Sequence, residues 1–204
     1  EKIMKKNSGL VVLILFCLLS YLVISQDPLI LKMDALTGNF FKILLNKPAT
    51  FFFKTAAAIF KPIWVIIYGT LIVILLSHCN AKRFLPSLSI LLSGYLVMEF
   101  LKWLIKRPRP VAPLVSAWGY SYPSAHTFEI VLLGLLLVAY LQEKNFKFRW
   151  LEELIIFLII IIVIISRLYL RAHYLSDVIG AILLAVFWFQ FSLIILAKIK
   201  TKKS

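Results

Sequence analysis

SRLYLRAHYLSD, residues 166–177, follows the apolar run ELIIFLIIIIVII at 153–165 and brings two arginines, one histidine and one aspartate to its end. Such groups are costly near a bilayer unless they face water or pair with another group. His173 and Asp177 are four residues apart, so on a helix they would share one face and could form a hydrogen bond. A carboxylate bonded to one imidazole nitrogen fixes the tautomer and leaves the other nitrogen free as a nucleophile. Arg167 and Arg171 could donate to an anion in front of that nitrogen. A solvated ion pair at a capped helix end is the alternative for this stretch alone.

The composition excludes an ordinary soluble domain. The chain has 204 residues, 62% of them hydrophobic, and a mean hydropathy of +0.95, so we expect a multi-pass membrane protein. The net charge of +14 fits anionic lipid headgroups and an anionic substrate. A nucleic-acid partner is not expected, because the basic residues form short clusters between apolar runs. Cys17 and Cys79 have neither metal-site spacing nor a disulfide framework.

Six apolar runs predict an all-α, polytopic fold with six transmembrane helices, although some runs are near the lower limit of about 17–25 residues for a span. The first run follows a basic start but precedes no small-residue cleavage site, so we expect a retained span and not a signal peptide. The runs cover residues 10–25, 62–77, 85–104, 125–141, 151–166 and 177–197.

The segment 28–61, between the first two spans, is mixed in character. Lys47, Lys54 and Lys61 are seven residues apart with phenylalanines between them, which predicts an amphipathic helix in the headgroup region. A poorly organised basic loop is the alternative.

Lysine and arginine positions indicate the orientation. The outer segments hold nearly as many cations as the inner ones, so the prediction that both termini are cytoplasmic requires the outer cations to belong to a site or an amphipathic helix. With a cytoplasmic start, the inner segments hold Lys2, Lys5, Lys6, Lys82, Arg83, Lys144, Lys147, Arg149, Lys198, Lys200, Lys202 and Lys203.

KWLIKRPRP, residues 102–110, places four positive charges at the end of the third span, where prolines stop the helix. These charges need an anion to neutralise them. Lys102 lies on the last turn of the span. A stop-transfer cluster at the headgroups is the alternative.

YPSAHT, residues 122–127, begins the fourth span. Ser124 is a good N-cap, and the free N–H groups of a helix N-terminus form an anion site. His126, in the first turn, could hand a proton to a departing oxygen. A capped helix with an interfacial histidine is the alternative.

A six-span zigzag brings these three stretches to one membrane face. The third and fifth spans end there, and the fourth and sixth begin there. Converging cations, a helix N-terminus and a His–Asp pair then describe a phosphate site with a nucleophile. His78 would lie at the opposite face.

The three stretches resemble the signature of the type 2 phosphatidic acid phosphatase (PAP2) superfamily: K-x6-RP, then PSGH, then SR-x5-H-x3-D. Lys102 and Arg109-Pro110 match the first element, and Ser166-Arg167, His173 and Asp177 match the third. The second element is matched at 123–126, with Ala125 where glycine is usual; this costs some room beside a phosphate, and we expect activity unless the position needs a positive φ.

The resemblance covers about residues 60–197, and the layout is most similar to bacterial lipid phosphatases of the phosphatidylglycerophosphatase B and undecaprenyl-pyrophosphate phosphatase type. We therefore expect one integral-membrane phosphatase domain over residues 1–204, with its signature region at about 99–180. Its location would be the bacterial plasma membrane, with the site on the extracytoplasmic face.

The resemblance implies hydrolysis of a lipid phosphomonoester or pyrophosphate without metal or cofactor, on substrates such as undecaprenyl pyrophosphate, phosphatidylglycerophosphate or phosphatidic acid. His173, oriented by Asp177, would form a phosphohistidine. His126 would protonate the leaving group and then activate water. The predicted phosphate-binding residues are Lys102, Arg109, Ser124, Ala125 and Arg167, with Arg171 as a candidate headgroup contact.

Several other functions would use the same residues. A lipid phosphotransferase or a lipid A phosphatase would share the first half-reaction, and haloperoxidases share the anion pocket, although six apolar spans argue against a soluble vanadate enzyme. A non-enzymatic ion carrier would leave Lys102, Arg109 and Arg167 unexplained, because cations beside a cation site are repulsive.

Overall fold

The computed structural model of the chain describes residues 6–78, 80–144 and 148–201, and this described part contains eight helices and no strand. Cys79 and the predicted inner lysines at positions 2, 5, 147, 202 and 203 lie outside it. The helices are α1 (Lys6–Ile24), α2 (Pro28–Ile43), α3 (Lys47–Ile59), α4 (Pro62–Leu76), α5 (Ala81–Ile105), α6 (Ala125–Lys144), α7 (Arg149–Tyr169) and α8 (Leu175–Thr201).

The predicted all-α fold is confirmed, and each of the six apolar runs coincides with one helix to within a few residues: α1, α4, α5, α6, α7 and α8. Among the described helices, α5, α6 and α8 are long and apolar enough to cross a membrane, and the bent pairs α1–α2 and α3–α4 would each add one span. Helix α7 is not in that set, because charged residues lie at both of its ends. They are Arg149, Glu152, Glu153 and Arg167. The count of six spans therefore stays a prediction.

The segment 28–61 forms two helices, and the amphipathic helix predicted from the spacing of its lysines corresponds to the second, α3, which ends just before Lys61. Asp27 accepts the N–H of Leu29 at 2.9 Å at the start of α2, and Asn46 accepts the N–H of Ala49 at 2.9 Å at the start of α3. A side-chain acceptor followed by proline in the first turn is a typical helix start, and the second of these starts divides the segment. The α2 axis is bent by 86° from α1, and α3 by 59° from α4. The alternative of a disorganised loop is wrong here, and α2 was not predicted as a separate helix; the location of α3 in the headgroup region stays a prediction.

One face of α3 packs against the end of α7 and the other is exposed. Phe53 stacks obliquely on Tyr169, with ring centroids 4.7 Å apart. The backbone N–H of Asn46 donates to the Tyr169 hydroxyl at 3.0 Å, so the hydroxyl holds the start of α3 and the ring contacts its middle. Phe51 and Phe52, by contrast, are 75% and 51% exposed.

The core is centred on α6, which packs against α4, α5, α7 and α8, while α1 packs along α8. Phe128 and Leu132 of α6 are fully buried, and close packing of such side chains stabilises the bundle interior, because the surrounding lipid chains are as apolar as the side chains themselves. Four helix ends lie together: the ends of α5 and α7 and the starts of α6 and α8. Two backbone hydrogen bonds connect them. The N–H of Ser124 donates to the carbonyl of Asp177 at 3.2 Å, and the N–H of Leu114 donates to the carbonyl of Leu170 at 2.9 Å. The three signature stretches therefore lie at one end of the helix bundle, as the alternation of the spans predicts.

Gly180 of α8 gives a test of this packing. A Cβ there would lie 2.5 Å from the hydroxyl oxygen of Tyr122, which is fully buried and cannot move aside. We expect Gly180→Ala to lower the free energy of unfolding by about 1–3 kcal/mol, the usual cost of overpacking, seen as a lower Tm of the purified protein in detergent. Gly38→Ala is the matched control, because its Cβ would meet nothing within 4 Å; equal Tm values for the two variants would contradict the packing described here.

Candidate active site

Three cationic side chains from three different segments line one cavity of about 170 Å³. Lys102 is on the last turn of α5, Arg167 is on the last turn of α7, and Arg109 is in the loop between α5 and α6. His126 and His173 line the same cavity. We call it the cationic cavity; its other lining residues are Pro62, Ser116, Ala117, Trp118 and Ala125.

Arg167 is the clearest sign of what this cavity holds. The residue is 4% exposed, and its Nε is buried with no hydrogen-bond partner among the described residues. Lys102 is also buried, and its Nζ donates to the carbonyl of Tyr120 at 3.3 Å. A buried cation without an acidic partner is costly. The cavity is therefore suited to an anion that completes the charge balance.

His173 lies in the connection between α7 and α8, so the predicted helical face shared with Asp177 is wrong. The helix begins only at Leu175, because Asp177 folds back in its first turn and accepts the N–H of Tyr174 at 2.9 Å. The two side chains are close all the same: His173 Nδ1 is 3.4 Å from Asp177 Oδ2. Nδ1 is also 2.8 Å from the carbonyl oxygen of Ser121, which only accepts, so Nδ1 carries the hydrogen.

The other nitrogen of His173 faces Arg109. An Nη1 hydrogen of Arg109 donates to His173 Nε2 at 3.2 Å, and a guanidinium only donates, so Nε2 is the unprotonated nitrogen. Burial, and then the charges of Arg167, Arg109 and Lys102, lower the pKa of His173 well below its ordinary value. The imidazole is therefore neutral at physiological pH, as a nucleophile must be.

Arg109 also joins the two loops that surround the cavity. Its Nη1 donates to the carbonyl of Ala172 at 2.9 Å, its Nη2 to that of Trp118 at 2.8 Å, and its Nε to that of Gly119 at 3.0 Å. Four of its five N–H donors are thus engaged when the hydrogen bond to His173 is included. A planar, rigid fork used in this way fixes both the loop positions and the direction of one donor.

His126 is held by the neighbouring helix α3. Its Nε2 is 3.3 Å from the carbonyl oxygen of Ala57, in the last turn of α3, where helix carbonyls have no partner within the helix. The carbonyl can only accept, so Nε2 carries a hydrogen and Nδ1 remains for proton transfer.

The second signature element is arranged differently from the prediction. Ser124 is fully buried, its N–H donates to the carbonyl of Asp177, and its Oγ accepts from Thr127 at 3.1 Å. It is not among the residues that line the cationic cavity, whereas Ala125 is. Ala125 begins α6 and is not among the residues with positive φ, so no glycine is needed there for backbone reasons.

Arg171 lies on the other flank of His173. Both residues line a second cavity of about 210 Å³, together with Thr37 and Asn39 of α2. Arg171 has a φ of +52°, a left-handed conformation that turns the chain between α7 and α8. Its suggested contact with a lipid headgroup stays a prediction, and it is separate from the cationic cavity.

Two charged residues that the sequence interpretation did not assign to the site are buried beside it. Arg107 donates from Nη1 to Asp177 Oδ1 at 2.5 Å and from Nη2 to Asp34 Oδ2 at 2.7 Å. Its guanidinium carbon also lies 4.3 Å from the ring centroid of Tyr174. A signal for Asp34 was present in the sequence, because it is a lone acid within the mostly apolar stretch LILKMDALTG at 29–38.

Comparisons with known proteins agree with this architecture. The family model of the PAP2 superfamily matches residues 83–200. Phosphatidylglycerophosphatase B of Bacillus subtilis (strain 168) is 32% identical over 99 residues, which are 46% of this chain and 48% of that protein. The chain thus matches about half the length of this curated relative. The crystal structure of the first transmembrane PAP2 type phosphatidylglycerolphosphate phosphatase from Bacillus subtilis matches with a TM-score of 0.81 and 21% identity, over 95% of this chain and 98% of that one, which shows a shared fold.

Removal of the unpartnered guanidinium tests whether the cationic cavity binds anions. We expect Arg167→Gln to weaken the binding of inorganic phosphate, measured by titration calorimetry, by about tenfold to a hundredfold, because a hydrogen bond to a charged group contributes about 1.5–3 kcal/mol. The Tm without phosphate should stay the same or rise, because a buried, unpaired charge is removed.

Arg149→Gln is the control on the same helix, since Arg149 is half-exposed and pairs with Glu153 at 3.2 Å at the far end of α7. Equal phosphate affinity of the two variants would show that Arg167 does not bind the anion.

Proposed function

Because this chain belongs to the PAP2 superfamily, we propose that it is a membrane lipid phosphatase, which hydrolyses a phosphomonoester or pyrophosphate of a lipid. The observation that carries the proposal is the convergence of Lys102, Arg109 and Arg167 on a cavity that also contains His126 and His173. A phosphate group supplies the missing negative charge, and the two imidazoles supply a nucleophile and a proton donor.

In the first step, His173 Nε2 attacks phosphorus. The N–P bond forms while the P–O bond to the lipid breaks, and the electron pair leaves on that oxygen. Arg109 now donates to Nε2 at 3.2 Å, so it must redirect this donor to a phosphoryl oxygen when substrate binds. The same movement releases the lone pair of Nε2. Arg167 and Lys102 neutralise the other equatorial oxygens, as metal ions do in other phosphoryl transfers.

In the second step, His126 exchanges roles. In the first step His126 is protonated on both ring nitrogens: the hydrogen on Nε2 stays bonded to the Ala57 carbonyl, and Nδ1 gives its proton to the leaving oxygen. In the second step the unprotonated Nδ1 takes a proton from a water molecule, whose oxygen attacks phosphorus, so the cation is restored. The N–P bond breaks, its electrons return to His173 Nε2, and phosphate leaves. The Ala57 carbonyl, 3.3 Å from Nε2 of His126, supports the protonated imidazole because it lies at the negative end of the α3 dipole.

The similarity to a known phosphatase and the charge of the cavity support the proposed substrate class. Phosphatidylglycerophosphatase B is similar over 99 residues, which favours phosphatidylglycerophosphate as the substrate. Phosphatidic acid and undecaprenyl pyrophosphate present the same phosphate chemistry to the cavity. We propose that no metal ion takes part, since three fixed cations already neutralise the phosphoryl oxygens.

We further propose six membrane spans, formed by α1, α4, α5, α6, α7 and α8, with both termini cytoplasmic and the site facing outward. At about 1.5 Å per residue, the 21 residues of α7 extend far enough to cross a hydrocarbon core of about 30 Å. The charged groups of α7 lie at its two ends.

Phosphate release by purified protein in mixed micelles tests the function. We expect wild type to release inorganic phosphate from at least one of the three lipid substrates in the presence of a strong chelator, and His173→Asn to lose at least about a thousandfold, because the nucleophile is absent. His78→Asn is the control: His78 is exposed, has a φ of +50° that asparagine tolerates, and is not among the residues lining the cationic cavity.

The same assay separates the two active-site histidines. His126→Asn should fail on lipid phosphates, whose leaving groups are poor, but should still form phosphoenzyme from an activated aryl phosphate. Transfer of phosphate to a second lipid without release of free phosphate would favour a phosphotransferase. Activity of His173→Asn above about a tenth of wild type would contradict the nucleophile assignment.

Cysteine labelling tests the orientation. In a background without the native cysteines, Val111→Cys should react with a membrane-impermeant maleimide on intact cells, and Phe148→Cys should react only after lysis. Both side chains are well exposed, so accessibility of the protein surface does not limit either reaction. The reverse pattern would place the site in the cytoplasm.

A further inference from the structure

Asp34 forms a second layer of charge behind the candidate nucleophile. It is on α2, outside the residues 83–200 that match the family model. Its Oδ2 accepts from Arg107 Nη2 at 2.7 Å and from Ser176 Oγ at 2.7 Å, and its Oδ1 accepts the backbone N–H of Ser176 at 2.9 Å. The side chains of Asp34, Arg107 and Asp177 are no more than 9% exposed.

This arrangement decides the charge that His173 experiences. Arg107 is 2.5 Å from Asp177 Oδ1, so on its own it would neutralise the carboxylate next to His173 Nδ1. Asp34 pairs with the other side of the same guanidinium. The three residues together therefore carry one net negative charge, which is directed at His173 through Asp177.

His173 needs this charge most when it carries a phosphoryl group. With Nε2 bonded to phosphorus and Nδ1 still protonated, the imidazole is cationic, and the cationic cavity already contains Lys102, Arg109 and Arg167. Within the described part of the chain, the carboxylate in ion-pair range of the imidazole is Asp177, at 3.4 Å. In a buried site of low dielectric constant, a change of one charge at this distance has a large effect.

We propose that Asp34 is a positioning residue for phosphoryl transfer: it neutralises Arg107, so that the negative charge of Asp177 remains available to stabilise the cationic His173. The inference rests on the proposed phosphatase function. It assigns a role in catalysis to α2, a helix that contributes no side chain to the cationic cavity.

Charge restoration distinguishes this role from a purely structural one. Asp34→Asn leaves the three-residue cluster neutral, whereas Asp34→Asn combined with Arg107→Gln returns it to one negative charge. We expect Asp34→Asn to lower kcat for phosphate release by about tenfold to a hundredfold, with little change in KM. Loss of a residue that supports a functional histidine from behind has an effect of this size. The kcat of the double variant should be at least about tenfold higher than the kcat of Asp34→Asn. A double variant as slow as Asp34→Asn, or slower, would overturn the proposal.

Ser176→Ala and Asp27→Asn are the controls. Ser176→Ala removes one hydrogen bond to Asp34 and one from Arg107 but keeps every charge, so kcat should stay within about threefold of wild type if charge and not geometry decides the effect. It also keeps the proposal testable if Asp34→Asn does not fold, since a tenfold loss in Ser176→Ala would show that geometry and not charge matters. Asp27→Asn makes the same chemical change at the N-cap of α2 and should leave kcat unchanged; a loss there would overturn the specific role of Asp34.

The wild-type measurement separates the two proposals. If wild type releases no phosphate from any lipid, the phosphatase function is wrong and this inference falls with it. If wild type is active and the double variant shows no recovery, only the role of Asp34 is wrong.

Discussion

The hydrogen bonds of Arg109 hold the site together. One planar guanidinium binds carbonyl groups of the loop that precedes α6 and of the loop that precedes α8, and it also donates to His173. The rigid geometry of the fork means that these loops cannot move independently. Lys102 and Arg167 are then fixed relative to His173, because they are on the helices that these loops extend. The geometry of the cationic cavity and the orientation of the candidate nucleophile His173 therefore depend on the same side chain.

The cations of this region fall into two classes according to their partners. Arg107 is buried between two carboxylates, so its charge is already balanced and it is not available to a ligand. Arg167 is equally buried but has no acidic partner in the described part of the chain, so its charge is free for an anion. Sequence alone cannot separate these classes, because both arginines sit beside apolar runs in clusters of positive charge.

The sequence predicted the helices and the gathering of the site because both depend on strong, local signals. Long apolar runs must form helices near a bilayer, and their alternation brings His126 and His173 to one end. The contacts of Arg107 could not be predicted in the same way, since they join it to residues 73 and 70 positions away, one on α2 and one on α8. His173 was expected on a helix because spacing alone does not show that Asp177 caps the chain two residues after α8 begins. The division of 28–61 likewise depends on where Asn46 accepts a backbone N–H.

Helix α3 connects the outer surface of the molecule with one of the two cavity histidines. Its exposed phenylalanines lie on one side, and the Ala57 carbonyl that accepts from His126 lies in its last turn. Ala57 is buried against Tyr169 and Leu170, so this carbonyl is held by the same residues that anchor the rest of α3. The orientation of the His126 imidazole is therefore set by a helix whose opposite face is an apolar outer surface of the protein.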